Sequence, residues 1–282
     1  MKSILVLTDF SENAANASNE AFWLAERKHI DLLLYNSFIK YPSIASYAGT
    51  PWKVDECIES KNHSKEGLKF LSEQLNSIDD HSAAGLRKPV IHTICEDNDL
   101  GSAVAKLINE NNIELIIMGA RNPEGQPGLF GRDINSVIEK AVCPVLILPG
   151  NFSLKSITRI FFASNYTEDD IIALSYIAKF AELLNCDLEI VHIDNDMERA
   201  PAVNKKMKHF EQVLANTKFG GLKQNTHHGK NVINRLNRLL DDNNGDMLAM
   251  VHTKRSFCAR FFHHSTVKEA IANQKAPLLI FP

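Results

Sequence analysis

The sequence predicts an α/β protein made of two tandem domains, each a five-stranded parallel sheet with helices on both faces. Three observations lead there. The chain has 282 residues, about twice a common domain length. Short apolar runs alternate with longer amphipathic stretches, the pattern of βαβ units. And the chain repeats itself. Residues 3–12 resemble 159–168, and the offset of 156 persists without a gap through Ala17 and Ala173, Ala25 and Ala181, and Asp31 and Asp187. At the ends of the halves the offset is 133, aligning Leu115 with Leu248 and Pro144–Pro149 with Pro277–Pro282. The two offsets differ by 23, so the second half lacks 23 residues in its middle, within the stretch corresponding to Tyr41–Gly85. Such a repeat marks a tandem duplication. The expected domains are 1–150 and 151–282, with a junction near Gly150–Ser156.

Within one half the elements follow in order. Ser3–Leu7 is a short apolar strand. A helix over Glu12–His29 carries Ala14, Ala17, Ala21, Leu24 and Ala25 at helical spacing, with Ser11 as N-cap and acidic Glu12 at its positive end. Leu32–Ser37 is the second strand. A polar region with Pro42, Gly49 and Pro51 precedes a helix over about Val54–Asn76. Strand three is Val90–Cys95, the next helix Leu100–Asn111, and strand four Leu115–Met118. A loop rich in glycine and proline spans Gly119–Gly131. Ile134–Ala141 is the last helix and Val145–Leu148 the last strand. Ligands of such sheets bind outside the carboxyl ends of the strands, at the switch point. This singles out Thr8–Ser11, Tyr35–Phe38 and Gly119–Asp133.

Composition narrows the function. Apolar residues make up 44% and charged residues 23%, which excludes disordered and collagen-like classes. Apolar runs such as Val142–Leu148 fall far short of a membrane span. The four apolar residues before Thr8 are too few for a signal peptide, so a soluble, cytoplasmic protein is expected. Net charge is −3, against nucleic-acid binding. The first 150 residues carry 14 basic and 20 acidic side chains, the remainder 17 and 14; opposite signs are compatible with two halves attracting each other, and equally with chance. Five dispersed cysteines without a CxxC pair read as reduced thiols. Eleven histidines include the adjacent pairs His227–His228 and His263–His264 but no HExxH, so zinc chemistry is not expected. No Gly-x-Ser-x-Gly elbow occurs.

Four glycines fall within the thirteen residues Gly119–Gly131. Glycines between a strand and a helix let backbone N–H groups cradle phosphate, and Arg121 and Arg132 can add charge-assisted contacts. The plainer reading is a surface loop with turn glycines; no Walker A motif is present. Asp9 ends strand one. Its carboxylate can accept hydrogen bonds from an adenine amino group or a ribose, or can satisfy backbone N–H groups of its own turn.

The opening Ile4–Ser11, the Met118–Gly119 pair, the glycine-rich loop and the Cys143–Leu146 ending resemble the universal stress protein family. The second half resembles it more weakly, through Ser164–Glu168 and Pro277–Pro282. The resemblance implies an adenine nucleotide α-hydrolase-like, Rossmann-like fold with ATP, accompanied by Mg²⁺, or AMP over the sheet's carboxyl edge. It implies a regulatory or protective protein in the stress response, not an enzyme, although slow ATP hydrolysis is compatible with it. Asp9 matches the family's adenine- or ribose-binding Asp, and Ser37 sits where the family packs a small apolar residue on the base. Gly119 matches the first loop glycine, Asn122 replaces the second, and Gly131 matches the third, with Gly128 in the loop between. Arg132 takes the place of a Ser or Thr. The second half departs further: Asn165 replaces the Asp, His252 the first glycine, and Lys254–Thr266 contains no glycine. This basic, aromatic segment, with Lys254, Arg255 and Arg260, suits an anionic partner or packing on the first half. His192 stands where the family has a His and is expected to be structural. The family also pairs through its last strand, implying a pseudo-dimer of the two halves and leaving a homodimer open. Three readings remain: a nucleotide-sensing regulator, an interaction scaffold without nucleotide, and a carrier of a metal or small ligand at Asp9.

Overall fold

A computed structural model describes residues 2–38, 52–78, 87–120, 133–194, 201–215, 222–228, 235–236, 238–240, 246–252 and 276–282. The chain divides into two compact units, Met1–Asn151 and Phe152–Pro282.

In the first unit the order is β1 (Lys2–Leu7), α1 (Glu12–Lys28), β2 (Asp31–Ser37), α2 (Trp52–Ser77), β3 (Ile91–Glu96), α3 (Leu100–Glu110), β4 (Asn112–Gly119), α4 (Asp133–Lys140) and β5 (Val145–Leu148). The strands run in the order β3-β2-β1-β4-β5, all parallel. Ile4–Leu7 and Leu115–Met118 are fully buried. Central strands of a parallel sheet are covered on both faces, which is why these runs are apolar without alternation.

The second unit contains a 3₁₀ turn (Leu154–Ser156), then β6 (Arg159–Ala163), α5 (Glu168–Leu184), β7 (Asp187–Asp194), α6 (Pro201–Ala215), β8 (Leu222–His228), β9 (Met247–Val251) and β10 (Leu278–Phe281). Its strand order is β8-β7-β6-β9-β10, again parallel. The chain is thus an α/β protein with two tandem five-stranded parallel folds.

Local chemistry explains the first helix of each copy. Ser11 caps α1 by accepting from the Ala14 N–H at 3.3 Å, and Arg27 and Lys28 complement the negative end. All five expected apolar positions of α1 are buried. Four are alanines, so the helix can lie close to the sheet. Thr167 caps α5 in a full capping box with Asp170. Both helices end on a left-handed residue, His29 at φ 53° and Asn185 at φ 54°. The residue before each N-cap is also left-handed, Phe10 at φ 61° and Tyr166 at φ 58°. Both pairs stand 156 apart, so the repeat extends to individual backbone conformations.

Most element boundaries shift by one or more residues from the sequence expectation, and two of the shifts have a visible cause. β4 starts three residues early, at Asn112, because its register with β1 shifts between Ser3 and Ile4. Glu114 then stays in the strand, held by Lys2 at 3.0 Å and Lys28 at 2.5 Å. β3 begins at Ile91 because the Val90 N–H is spent on the buried Asp31 carboxylate, 3.1 Å away. Arg87 meets the same oxygen at 2.9 Å.

Candidate functional site

The site follows from topology. β1 and β4 are neighbours, with Leu7 opposite Met118, but the chain leaves β1 toward β2 and leaves β4 toward β5. The connections diverge and open a switch point above the carboxyl ends of β1 and β4.

The turn after β1 is tightly specified. Thr8 is fully buried and donates its N–H to the Tyr35 carbonyl at 3.0 Å. Its hydroxyl accepts from the Phe10 N–H at 3.1 Å. Asp9, half-buried, accepts the Ser11 N–H on Oδ1 at 3.0 Å. Asp9 therefore satisfies its own turn with one oxygen, while Oδ2 takes no hydrogen bond among the described residues. A left-handed aromatic residue costs about 1–2 kcal/mol, so this turn persists because the surrounding bonds over-determine it.

Gly119 and Asp9 both meet the first turn of α1. A Cβ at Gly119 would lie 2.7 Å from the Asn13 carbonyl and 2.8 Å from the Ala14 nitrogen. This glycine is needed for the approach of a helix backbone to β4. Asn13 tightens the junction: its Nδ2 donates to the Ala120 carbonyl at 2.7 Å, and its side-chain amide lies against Gly150. Ala120 in turn donates to the Leu148 carbonyl at 2.6 Å. The start of the loop after β4 is thereby anchored to α1 and β5.

Ser37 lies at the end of β2, and its hydroxyl donates to the Asn98 carbonyl. It closes the loop after β3, where Glu96 takes Lys106 at 2.6 Å and the Asn98 amide at 2.9 Å. Asp99 caps α3 through the Ser102 N–H at 3.0 Å, and the Ser102 bonds lower its pKa. Tyr35, fully buried beneath this loop, has its phenol pushed up to about 12 by burial and by the Glu96 carboxylate.

Of the seven expected site residues, Asp9, Ser37 and Gly119 are described. Arg121, Gly128, Gly131 and Arg132 lie outside the described residues, as do Asn122 and 254–266. Asn13 and Asn36 were not anticipated. Asn36 is 5% exposed and donates to the Thr8 carbonyl at 2.7 Å. A signal for it existed: a polar residue after the apolar run Leu32–Tyr35, at offset 156 from His192. For Asn13 there was none, because its partner is 107 residues away.

The second unit solves the same turn differently. Asp170 on α5 is 4% exposed and accepts from the Ser164 hydroxyl at 3.1 Å, the Asn165 N–H at 2.9 Å and the Thr167 N–H at 2.9 Å. The donors of that turn are consumed internally. His192 is buried with Nδ1 2.8 Å from the Ser164 carbonyl. A carbonyl only accepts, so Nδ1 carries the proton. The ring packs against Tyr166, with centroids 4.7 Å apart and planes tilted by 32°, a structural use.

Among the described residues no group of three or more His, Cys, Asp or Glu is arranged to hold a metal ion, and no helix is long and apolar enough to cross a membrane.

Comparison with known proteins adds the following. The family model described as the universal stress protein family matches residues 1–149. A universal stress protein from Archaeoglobus fulgidus DSM 4304 superposes with a TM-score of 0.69 at 13% identity, covering 99% of this chain and 97% of its own. A functionally unknown protein from Pseudomonas aeruginosa PAO1 gives 0.56 at 12% identity, covering 99% and 92%. These likenesses are of fold. No curated protein matches the chain.

Proposed function

The chain belongs to the universal stress protein family, and from that premise we propose that its first unit is a regulatory adenine-nucleotide sensor, taking ATP or AMP at Asp9. One observation carries the reading. A carboxylate stands at the switch point, oriented by the Ser11 N–H through one oxygen and with the other unused among the described residues. A carboxylate only accepts hydrogen bonds, and the exocyclic amine of adenine and the hydroxyls of ribose are donors. Gly119, Gly128 and Gly131, with Arg121 and Arg132, are the proposed phosphate-binding loop, and Mg²⁺ would accompany ATP. Ser37 is the proposed neighbour of the base. The protein's part is binding: the Asp9 turn orients the nucleoside, and the loop after β4 answers to the phosphates.

The second unit is proposed as a scaffold that binds no nucleotide. Asp170 supports this, because its carboxylate already takes three donors of the corresponding turn. Its basic segment around Lys254, Arg255 and Arg260 is the proposed surface for an anionic partner.

Calorimetric titration of the full chain with Mg²⁺–ATP and with AMP, beside Asp9→Ala, tests the sensor. Saturable one-site binding that disappears in the variant is expected. No heat at millimolar nucleotide overturns the reading and leaves a duplicated interaction scaffold.

A further inference from the structure

Asp9 is held from both sides by one helix. The peptide plane before it contains the Thr8 carbonyl, which accepts from Asn36 Nδ2 at 2.7 Å. Asn36 Oδ1 accepts in turn from the Ser64 hydroxyl on α2 at 2.6 Å. Thr8, Asn36 and Ser64 are at most 5% exposed, so water does not replace these bonds when they break, and each loss strands a buried polar group. The residue after Asp9 is Phe10. Its ring tip rests on Gly67 of the same helix, where a Cβ would lie 2.7 Å from Cζ and 2.9 Å from Cε1. His63 meets the ring edge-on, with centroids 6.4 Å apart and planes at 85°. Ser64 and Gly67 are three residues apart, hence on one face of the helix.

From this geometry we propose that α2 positions the Asp9 carboxylate for its ligand, with Ser64 and Gly67 as positioning residues acting through Asn36 and Phe10. The proposal rests on the nucleotide reading for the ligand's identity, but not for the mechanical coupling. It also assigns a role to the part of the chain, Tyr41–Gly85, in which the second copy is shorter. Two features argue against packing alone. A left-handed aromatic residue is an unfavourable choice unless its neighbours impose it, and here the imposing contacts flank Asp9, whose second oxygen takes no hydrogen bond among the described residues. In the second unit the left-handed aromatic persists: Tyr166 packs on Phe210 of α6 at 5.2 Å. There the flanked residue is Asn165 and the carboxylate is turned inward on Asp170.

Gly67→Ala forces the Phe10 ring to move while favouring the helix by propensity, and Ser64→Ala breaks the polar relay without adding bulk. Both are made in the full chain. ATP and AMP affinity is measured by calorimetry. The exchange rate of the Ser11 amide, which donates to Asp9, is measured without nucleotide, with the Ile116 amide as control. Each variant is expected to weaken nucleotide binding about tenfold. Ser11 is expected to exchange about tenfold faster, with Ile116 unchanged. Affinities within twofold of the parent in both variants overturn the proposal. If the parent chain binds neither ATP nor AMP, the nucleotide reading falls by itself. Ser11 exchange then decides the positioning: faster exchange sustains it, and unchanged exchange overturns it.

Discussion

Replacing Gly119 with alanine adds one methyl group where β4 meets the first turn of α1. The new carbon would stand 2.7 Å from the carbonyl carbon and oxygen of Asn13 and 2.8 Å from the Ala14 nitrogen. Carbon contacts are comfortable at about 3.5 Å, so the helix start must retreat by roughly 0.7 Å. It has little freedom to do so. Ser11 caps it, the Ala15 N–H donates to the Ser11 carbonyl at 2.8 Å, and Asn13 is tied to Ala120 at 2.7 Å. Overpacking costs about 1–3 kcal/mol, and straining the Asn13 bond about 1 kcal/mol more. Restricting the unfolded chain returns about 0.4–1 kcal/mol. A net loss of about 2 kcal/mol is expected, or about 4–8 °C in Tm for a unit of this size. Both tryptophans, Trp23 and Trp52, lie in the first unit, so urea unfolding followed by tryptophan fluorescence reads this unit without ligand. Gly101→Ala is the comparison. Its Cβ would meet Ser136 atoms at 3.0–3.1 Å, and the helix propensity gain of about 1 kcal/mol offsets much of the strain. An unchanged midpoint for Gly119→Ala in nucleotide-free protein refutes the packing argument. The glycine would then be needed for a ligand alone.

Other expectations concern the rest of the chain. Asp170→Ala strips the acceptor from three donors of the turn after β6 and should cost about 2–4 kcal/mol, read as an earlier urea transition of the second unit by circular dichroism; an unmoved transition contradicts the capping role. Burial alone would raise the Glu114 pKa, but Lys28 and Lys2 outweigh it and hold the carboxyl below its ordinary value. Its contribution is therefore complete above about pH 4.3 and is lost as pH falls through the lowered folded value. Glu114→Gln should flatten the acid limb of stability against pH, and an unchanged limb would rule the ion pairs out. Burial pushes the Cys143 and Cys186 thiols up to about 12, leaving almost no thiolate near neutrality. Cys143→Ser and Cys186→Ser should consume as much thiol reagent in the native state as the parent, and a loss of one equivalent would show the site open. The Tyr35 phenol, at about 12, should ionise well above the ordinary range of about 10 in a titration followed by phenolate absorbance. An ordinary midpoint for the signal removed by Tyr35→Phe would show that the hydroxyl is hydrated.

Much of the fold was legible because it is written locally. β5 runs Val145–Leu148 as the apolar run predicts, and Ser11 caps α1 where a small hydroxyl precedes an acidic first turn. The offset of 156 carried strands, helices and even the left-handed residues Phe10 and Tyr166 from one copy to the other. The site was less legible. Asp9 and Gly119 are recognisable by type and place, but a residue type does not name its neighbour. Gly119 reads as a phosphate-loop glycine, and its Cβ position is filled by the Asn13 backbone. Asn13 and Ser64 carry no pattern at all, each being one of several polar residues on its helix.

By itself the sequence determined the alternation of strand and helix, the duplication, the capped helix ends and the buried faces. The duplication shows in the repeated order of residues, and the others depend on residues within a few positions, where periodicity, backbone sterics and capping act. Tertiary structure alone decided that one Asp9 oxygen stays unused among the described residues, that Asn13 ties α1 to Ala120, and that Ser64 reaches Thr8 through Asn36. Those partners are separated by 107 residues for Asn13 and by 28 at each step of the relay. Hydrogen bonds over such distances exist only once the packed sheet has brought the strand ends together, and burial then makes each of them costly to lose.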